Sequence, residues 1–256
     1  MTAVDVHHVV EGPDDAPALV LINSLGSTLA MWEPQIEDLA ARFRVVRFDL
    51  RGHGRSPVPP GPYTLDDLGA DVIALLDRLG IARAHVAGVS LGGMTTMWLA
   101  TNAPERVDRI VLCCTSAKLG PPSMWQQRAA LVREQGTAAV ADAVVARWVT
   151  PAWAAAHPQE YRRLRDMIAS TPAEGYAGCC AAIEVMDQEA SIAAITAPTL
   201  VIAGAEDPST PPDHGARIAS RIPGARMAVI PHAMHLANIE QAPRVTERIV
   251  DHLRLP

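Results

Sequence analysis

The sequence predicts an α/β fold with a mostly parallel central sheet, helices on both faces and an inserted helical cap. Three observations carry that expectation. Short apolar runs alternate with amphipathic helical segments, which implies right-handed crossovers and a sheet covered on both faces. The chain has 256 residues, 49% of them hydrophobic and 20% charged, which suits one large core with an insertion and argues against disorder. From about Leu119 to Ala190 the alternation stops, and helical patterns continue with no convincing strand.

Residues 4–10 (VDVHHVV) alternate in polarity and predict the beginning of an antiparallel edge. The next strands are expected at residues 18–23 (ALVLIN), 44–49 (RVVRFD), 84–88 (AHVAG) and 109–114 (RIVLCC), with two late ones at 199–204 (TLVIAG) and 226–231 (RMAVIP). All are short, rich in branched apolar residues and bounded by turn residues, as buried parallel strands are. The clearest helix spans residues 63–80. Thr64 and Asp67 stand in capping-box positions, Leu65, Leu68, Val72, Leu75, Leu76 and Leu79 mark one face, and Gly80 is placed to end it. A helix over residues 91–102 stops before Pro104, and Val245, Ile249 and Leu253 mark a C-terminal helix. These elements divide the chain into a core of residues 1–118 and 191–256 and a cap of residues 119–190. The cap opens on Gly120-Pro121-Pro122 and holds Trp125, Trp148 and Trp153.

Composition excludes several classes. The formal charge is −6, from 22 basic and 28 acidic residues, and Lys118 is the single lysine. No basic run exists, so neither nucleic acid nor an anionic membrane is an expected partner. No apolar stretch is long enough to span a bilayer, and the N-terminus lacks the pattern of a signal peptide. The cysteines form two adjacent pairs, Cys113-Cys114 and Cys179-Cys180. That spacing fits neither a metal site nor a disulfide framework, so they are expected to be buried, reduced and cytoplasmic.

Gly88-Val89-Ser90-Leu91-Gly92 matches G-x-S-x-G. Alone the match is weak, but it follows an expected strand and precedes an expected helix, the setting of a nucleophile elbow. Such a turn lifts the serine hydroxyl above the sheet at a helix N-terminus, where free N–H groups favour negative charge. A serine hydroxyl needs a base. The elbow occurs with an acid after a late strand and a histidine near the C-terminus. Asp207 follows TLVIAG and His235 follows RMAVIP. Glu206 and His232 are the alternatives. Asp207 is preferred because a short carboxylate before Pro208 suits a rigid loop, and His232 lies close to the strand end, where a packing role suffices. His53, in the Gly-rich turn RGHGRS, is expected to hold loop structure. The oxyanion hole would take the Leu91 N–H and one from the Ser24-Leu25-Gly26-Ser27 loop, with Leu25 preferred and Gly26 as runner-up.

Over nearly the whole chain these residues resemble the α/β-hydrolase superfamily, and within it 3-oxoadipate enol-lactonases. The resemblance rests on SLGS with MW (24–27, 31–32), RGHGRS (51–56), PPGPYTLDDLG (59–69) and GVSLGGM (88–94) in the core. The more specific matches are GPPSMW (120–125), RWVTP (147–151) and TPAEGYAGCCAAI (171–183), followed by AGAEDPSTPP (203–212) and HLANIEQ (235–241). Many hydrolases carry His-Gly where this chain has Ser24-Leu25. The resemblance implies hydrolysis of a small unsaturated lactone carrying one carboxylate to 3-oxoadipate, in bacterial aromatic breakdown, with no cofactor and no metal. A protein of net charge −6 repels such a substrate unless a local cation offsets the field, and arginine does so best by bidentate pairing. Arg128, Arg133 and Arg147 are the candidates, with Trp125, one turn from Arg128, as a pocket wall. The alternatives are another cap-bearing ester or lactone hydrolase, with haloperoxidase-like activity as a side reaction, and a slow-turnover ligand sensor. Nothing in the sequence fixes an oligomeric state.

Overall fold

The computed structural model describes residues 2–254. The sheet is built from β1 (His8–Glu11), β2 (Ala18–Ile22), β3 (Arg44–Phe48), β4 (Ala84–Val89), β5 (Val107–Cys113), β6 (Thr199–Gly204) and β7 (Arg226–Ile230). Their spatial order is β1-β3-β2-β4-β5-β6-β7, parallel throughout except that β1 runs antiparallel to β3. The edge strand is shorter than the alternating sequence suggests. Val4 donates its N–H to Asp71 at 2.8 Å, and pairing with β3 begins only at His8, opposite Phe48. Strands β4 and β6 are buried along their whole length, which explains why their sequences are largely apolar rather than alternating.

Helices α1 (Glu33–Ala40), α2 (Leu65–Arg78) and α3 (Leu91–Asn102) connect the first five strands. Both reciprocal bonds of the Thr64–Asp67 capping box are present on α2. Between β5 and β6 lie α4 (Pro122–Gln135), α5 (Ala138–Val145), α6 (Pro151–Ala156), α7 (Pro158–Ala169) and α8 (Ala173–Val185), with an isolated antiparallel bridge between Lys118 and Asp187. Those two side chains also form an ion pair at 2.7 Å, so the ends of the helical segment are pinched together. The segment is also fastened to the core along its length. Gly178 accepts the Tyr63 N–H at 3.2 Å, and the loop between α5 and α6 supplies the Trp148 carbonyl to the Leu236 N–H at 2.8 Å.

The chain closes with α9 (Pro212–Arg221), α10 (Ala237–Glu240) and α11 (Ala242–Leu253). One apolar cluster runs from the sheet into the helical segment, joining Val86, Val111 and Ile202 to Val132, Val145 and Ile168. All four cysteines are buried in it and unbridged. Among the described residues no helix is long and apolar enough to cross a membrane.

Candidate active site

Ser90 joins β4 to α3 with φ 56° and ψ −114°, a region an L-residue occupies only under constraint. The constraint is visible. The Ser90 N–H donates to the Cys113 carbonyl at 3.0 Å, and the Thr115 hydroxyl donates to the Ser90 carbonyl at 2.7 Å. The flanking glycines are required by close approach. A Cβ on Gly92 would lie 2.2 Å from the Ile22 carbonyl oxygen, and one on Gly88 2.2 Å from that of Gly92. Ser90 is the N-cap of α3, yet its side chain makes no capping bond, so the hydroxyl is not committed to its own helix.

Asp207 and His235 meet at 2.8 Å, Oδ2 to Nδ1, both buried. The Asp207 carboxylate is saturated with donors. Oδ1 accepts the N–H groups of Ser209 (2.7 Å) and Thr210 (3.1 Å), and Oδ2 also accepts the Thr210 hydroxyl (2.7 Å). Burial alone would raise its pKa, but the His235 charge and the bonds from His235 and Thr210 outweigh it and hold the group at about 2. The two alternatives weighed from sequence pair with each other elsewhere. His232 and Glu206 approach to 3.8 Å on the surface, with the His232 side chain 83% exposed. Among the described residues no hydrogen bond joins Ser90 Oγ to His235. The two side chains share the wall of one cavity of about 350 Å³, within the usual range for small-ligand sites.

Leu25 lines that cavity, and Leu91 is the first residue of α3, whose N–H has no intrahelical acceptor. The runner-up donor is already engaged: Gly26 donates its N–H to His53 Nε2 at 3.0 Å. Trp125, Arg128 and Arg147 line the cavity. The Arg128 guanidinium stacks over the Trp125 ring, 4.9 Å from its centroid, and among the described residues no carboxylate pairs with it. Arg147 is bonded to the Ser209 hydroxyl at 3.1 Å and to the Pro208 carbonyl. Arg133 is a correction. It does not line the cavity; its guanidinium pairs with Glu174 at 2.9 Å, a carboxylate that also accepts the Gly61 N–H.

Three residues at the site escaped sequence reasoning. Tyr176 and His214 line the cavity, and His214 Nδ1 lies 2.8 Å from the Ser116 hydroxyl. Thr210 clamps Asp207 through its hydroxyl, beside an Asx turn in which Asp207 accepts the Ser209 N–H two residues on. Among the described residues no cluster of three or more His, Cys, Asp or Glu side chains is placed to hold a metal.

Two buried histidines away from the cavity carry a pH signature. Burial lowers His53 and His252 to about 4 each, and both rings have acceptors or donors suited to the neutral form. Unfolded, each protonates near the ordinary value of about 6.5. The unfolded chain therefore binds protons first as pH falls. This contribution to stability is complete above about pH 6.5 and is lost toward pH 4, by on the order of 3 kcal/mol per ring. Urea midpoints measured from about pH 7 to pH 4 will show the decline, and His252→Gln will flatten it.

Comparison with known proteins agrees with this architecture. The family described as the α/β hydrolase fold matches residues 17–242. A 3-oxoadipate enol-lactonase of Acinetobacter baylyi is 42% identical over 243 residues, covering 94% of this chain and 91% of that one. The crystal structure of an enol-lactonase from Burkholderia xenovorans superposes with a TM-score of 0.97 at 41% identity, covering 98% of this chain and 97% of the other. A thermophilic esterase from Thermogutta terrifontis, described with malate bound, gives 0.93 at 31% identity over 98% and 93% of the two chains. The chain belongs to the α/β-hydrolase family.

Proposed function

We propose that the protein hydrolyses 3-oxoadipate enol-lactone to 3-oxoadipate, with Ser90 as nucleophile, His235 as base and Asp207 orienting the imidazole. One observation carries the choice of substrate class: the cavity shared by Ser90 and His235 also presents Arg128, a cation with no carboxylate partner among the described residues. An anionic substrate is what such a site receives. Arg147 lies in the same wall, but two of its donors are already satisfied by Ser209 and Pro208. The malate bound by the related esterase is a small carboxylate in the same fold.

In the forward reaction the Ser90 proton passes to His235 Nε2 as Oγ bonds to the lactone carbonyl carbon. The Leu25 and Leu91 N–H groups hold the oxyanion. The carbonyl–enol oxygen bond breaks, His235 returns its proton to the enol oxygen, and an acyl-serine remains. Water, deprotonated by His235, then attacks the acyl carbon, His235 passes that proton to the departing Ser90 Oγ, and the released enol ketonises to the 3-oxo acid. Asp207 stays ionised throughout, because its donors hold it near 2. The small anionic substrate and the unbridged cysteines fit a cytoplasmic setting.

Steady-state hydrolysis of freshly generated enol-lactone, compared with phenyl acetate, tests the reading. The lactone will be the better substrate. Arg128→Met will raise KM for the lactone by about 10- to 100-fold, the worth of a hydrogen bond to a charged group, and leave phenyl acetate within a few fold. Rapid ester turnover with none of the lactone would overturn the assignment, as would an Arg128→Met enzyme unchanged toward both.

A further inference from the structure

We propose that His53 is a positioning residue for the oxyanion-binding loop: its Nε2 grips the Gly26 N–H and so fixes the peptide plane that leaves Leu25 as the loop's donor. The proposal rests on the reading above, in which a carbonyl oxygen becomes negative beside Ser90.

The loop is a tight turn. Ser27 donates its N–H to the Ser24 carbonyl at 3.2 Å, and the Ser27 hydroxyl donates to the same carbonyl at 2.7 Å. Gly26 occupies the third position of this turn at φ +77°, as the second central residue of a type II turn does. The peptide between Leu25 and Gly26 is the one that flips between turn types, and its N–H belongs to Gly26. That N–H ends on His53 Nε2 at 3.0 Å. Because Nε2 accepts, the ring proton resides on Nδ1, which donates to the Arg51 carbonyl at 3.1 Å.

The ring is therefore held at both nitrogens, and its backbone anchor is itself immobile. The Arg51 side chain is fully buried and pairs with Asp71 at 2.6 and 2.7 Å. On the opposite side the Tyr176 ring closes over Gly26, so near that a Cβ there would fall 2.9 Å from its Cε2. Burial keeps the His53 ring neutral above about pH 4, which preserves the Nε2 lone pair. His53 is not among the residues lining the cavity. It acts on the reaction through the loop, and this gives the RGHG segment a purpose beyond turn geometry.

Two substitutions separate this role from a structural one. In His53→Gln the amide oxygen reaches the position of Nε2 and still accepts from Gly26. In His53→Asn the shorter amide serves Arg51 and abandons Gly26. With phenyl acetate as substrate, His53→Asn will lose about 10²-fold in kcat, the scale of a lost oxyanion donor, with KM within a few fold. His53→Gln will stay within about tenfold of wild type at a similar unfolding midpoint. Amide hydrogen exchange at Gly26 will be faster in the Asn variant than in the Gln variant. Wild-type kcat in His53→Asn would overturn the proposal. So would equal kcat losses in both variants that follow their unfolding midpoints, or identical Gly26 exchange. The ester readout keeps the two questions apart: an enzyme that hydrolyses phenyl acetate and ignores the lactone refutes the substrate, while the His53 comparison is still read.

Discussion

Ser90→Ala will lower kcat by roughly 10⁴- to 10⁶-fold, the range for removing the nucleophile of a serine hydrolase, and will leave the fold intact. The separation follows from which Ser90 atoms hold structure. The elbow depends on the Ser90 backbone, whose N–H reaches Cys113 and whose carbonyl accepts from Met94 and Thr115. The hydroxyl caps no helix. Alanine keeps every one of those backbone bonds and removes only the reacting oxygen. Steady-state rates with an unfolding curve measured on the same preparation check both halves. A fluorophosphonate probe adds a third readout, labelling the wild type and not the variant. An active, labelled Ser90→Ala enzyme would transfer the chemistry to another hydroxyl.

Asp207→Asn will cost about 10⁴-fold in kcat, although it changes one atom and no volume. Both Asp207 oxygens accept, one from two backbone N–H groups and the other from Thr210 and His235. An asparagine amide has one oxygen and one NH₂. The backbone donors of Ser209 and Thr210 cannot turn away, so the oxygen faces them and the NH₂ faces His235. The imidazole must then accept at Nδ1 and carry its proton on Nε2, where it cannot take one from Ser90. The variant will recover little rate on raising the pH, because the fault lies in the tautomer and not in a titration. Rate–pH profiles of the two enzymes decide this. A variant restored to within tenfold of wild type at high pH would show that Asp207 supplies only charge.

The fold was legible where local rules operate. Capping chemistry at Thr64 and Asp67, apolar runs at 199–204 and the stop before Pro104 needed no tertiary information. β1 was harder: its alternation continues through residues whose backbone bonds to α2 instead, as Val4 does to Asp71. At the site, motif and chain order placed Ser90, Asp207 and His235 on the loops where the structure has them, and the buried Asp207–His235 pair stands apart from the exposed Glu206–His232 pair. The arginines could not be ranked from sequence. Arg133 is neutralised by Glu174, 41 positions away, and Arg147 is held by Pro208 and Ser209 across 61 and 62. The grip of His53 on Gly26 spans 27 residues. Such couplings are decided by packing, and no periodicity announces them.

The fastening of the helical segment limits how this enzyme can be recombined. Glu240 accepts the Thr150 N–H at 3.0 Å and the Thr150 hydroxyl at the start of α6, and its other oxygen accepts the Met234 N–H at 2.8 Å, one residue before His235. Leu236, one residue after, is tied to Trp148. The turn bearing His235 is thus clamped on both sides by groups belonging to, or shared with, the helices that roof the cavity. A chimera built by transplanting a relative's roof onto this core inherits a positioned histidine only if the donor brings a Thr150-like hydroxyl and a carbonyl in the place of Trp148. Trimming the roof to admit bulkier esters would loosen His235 along with the entrance.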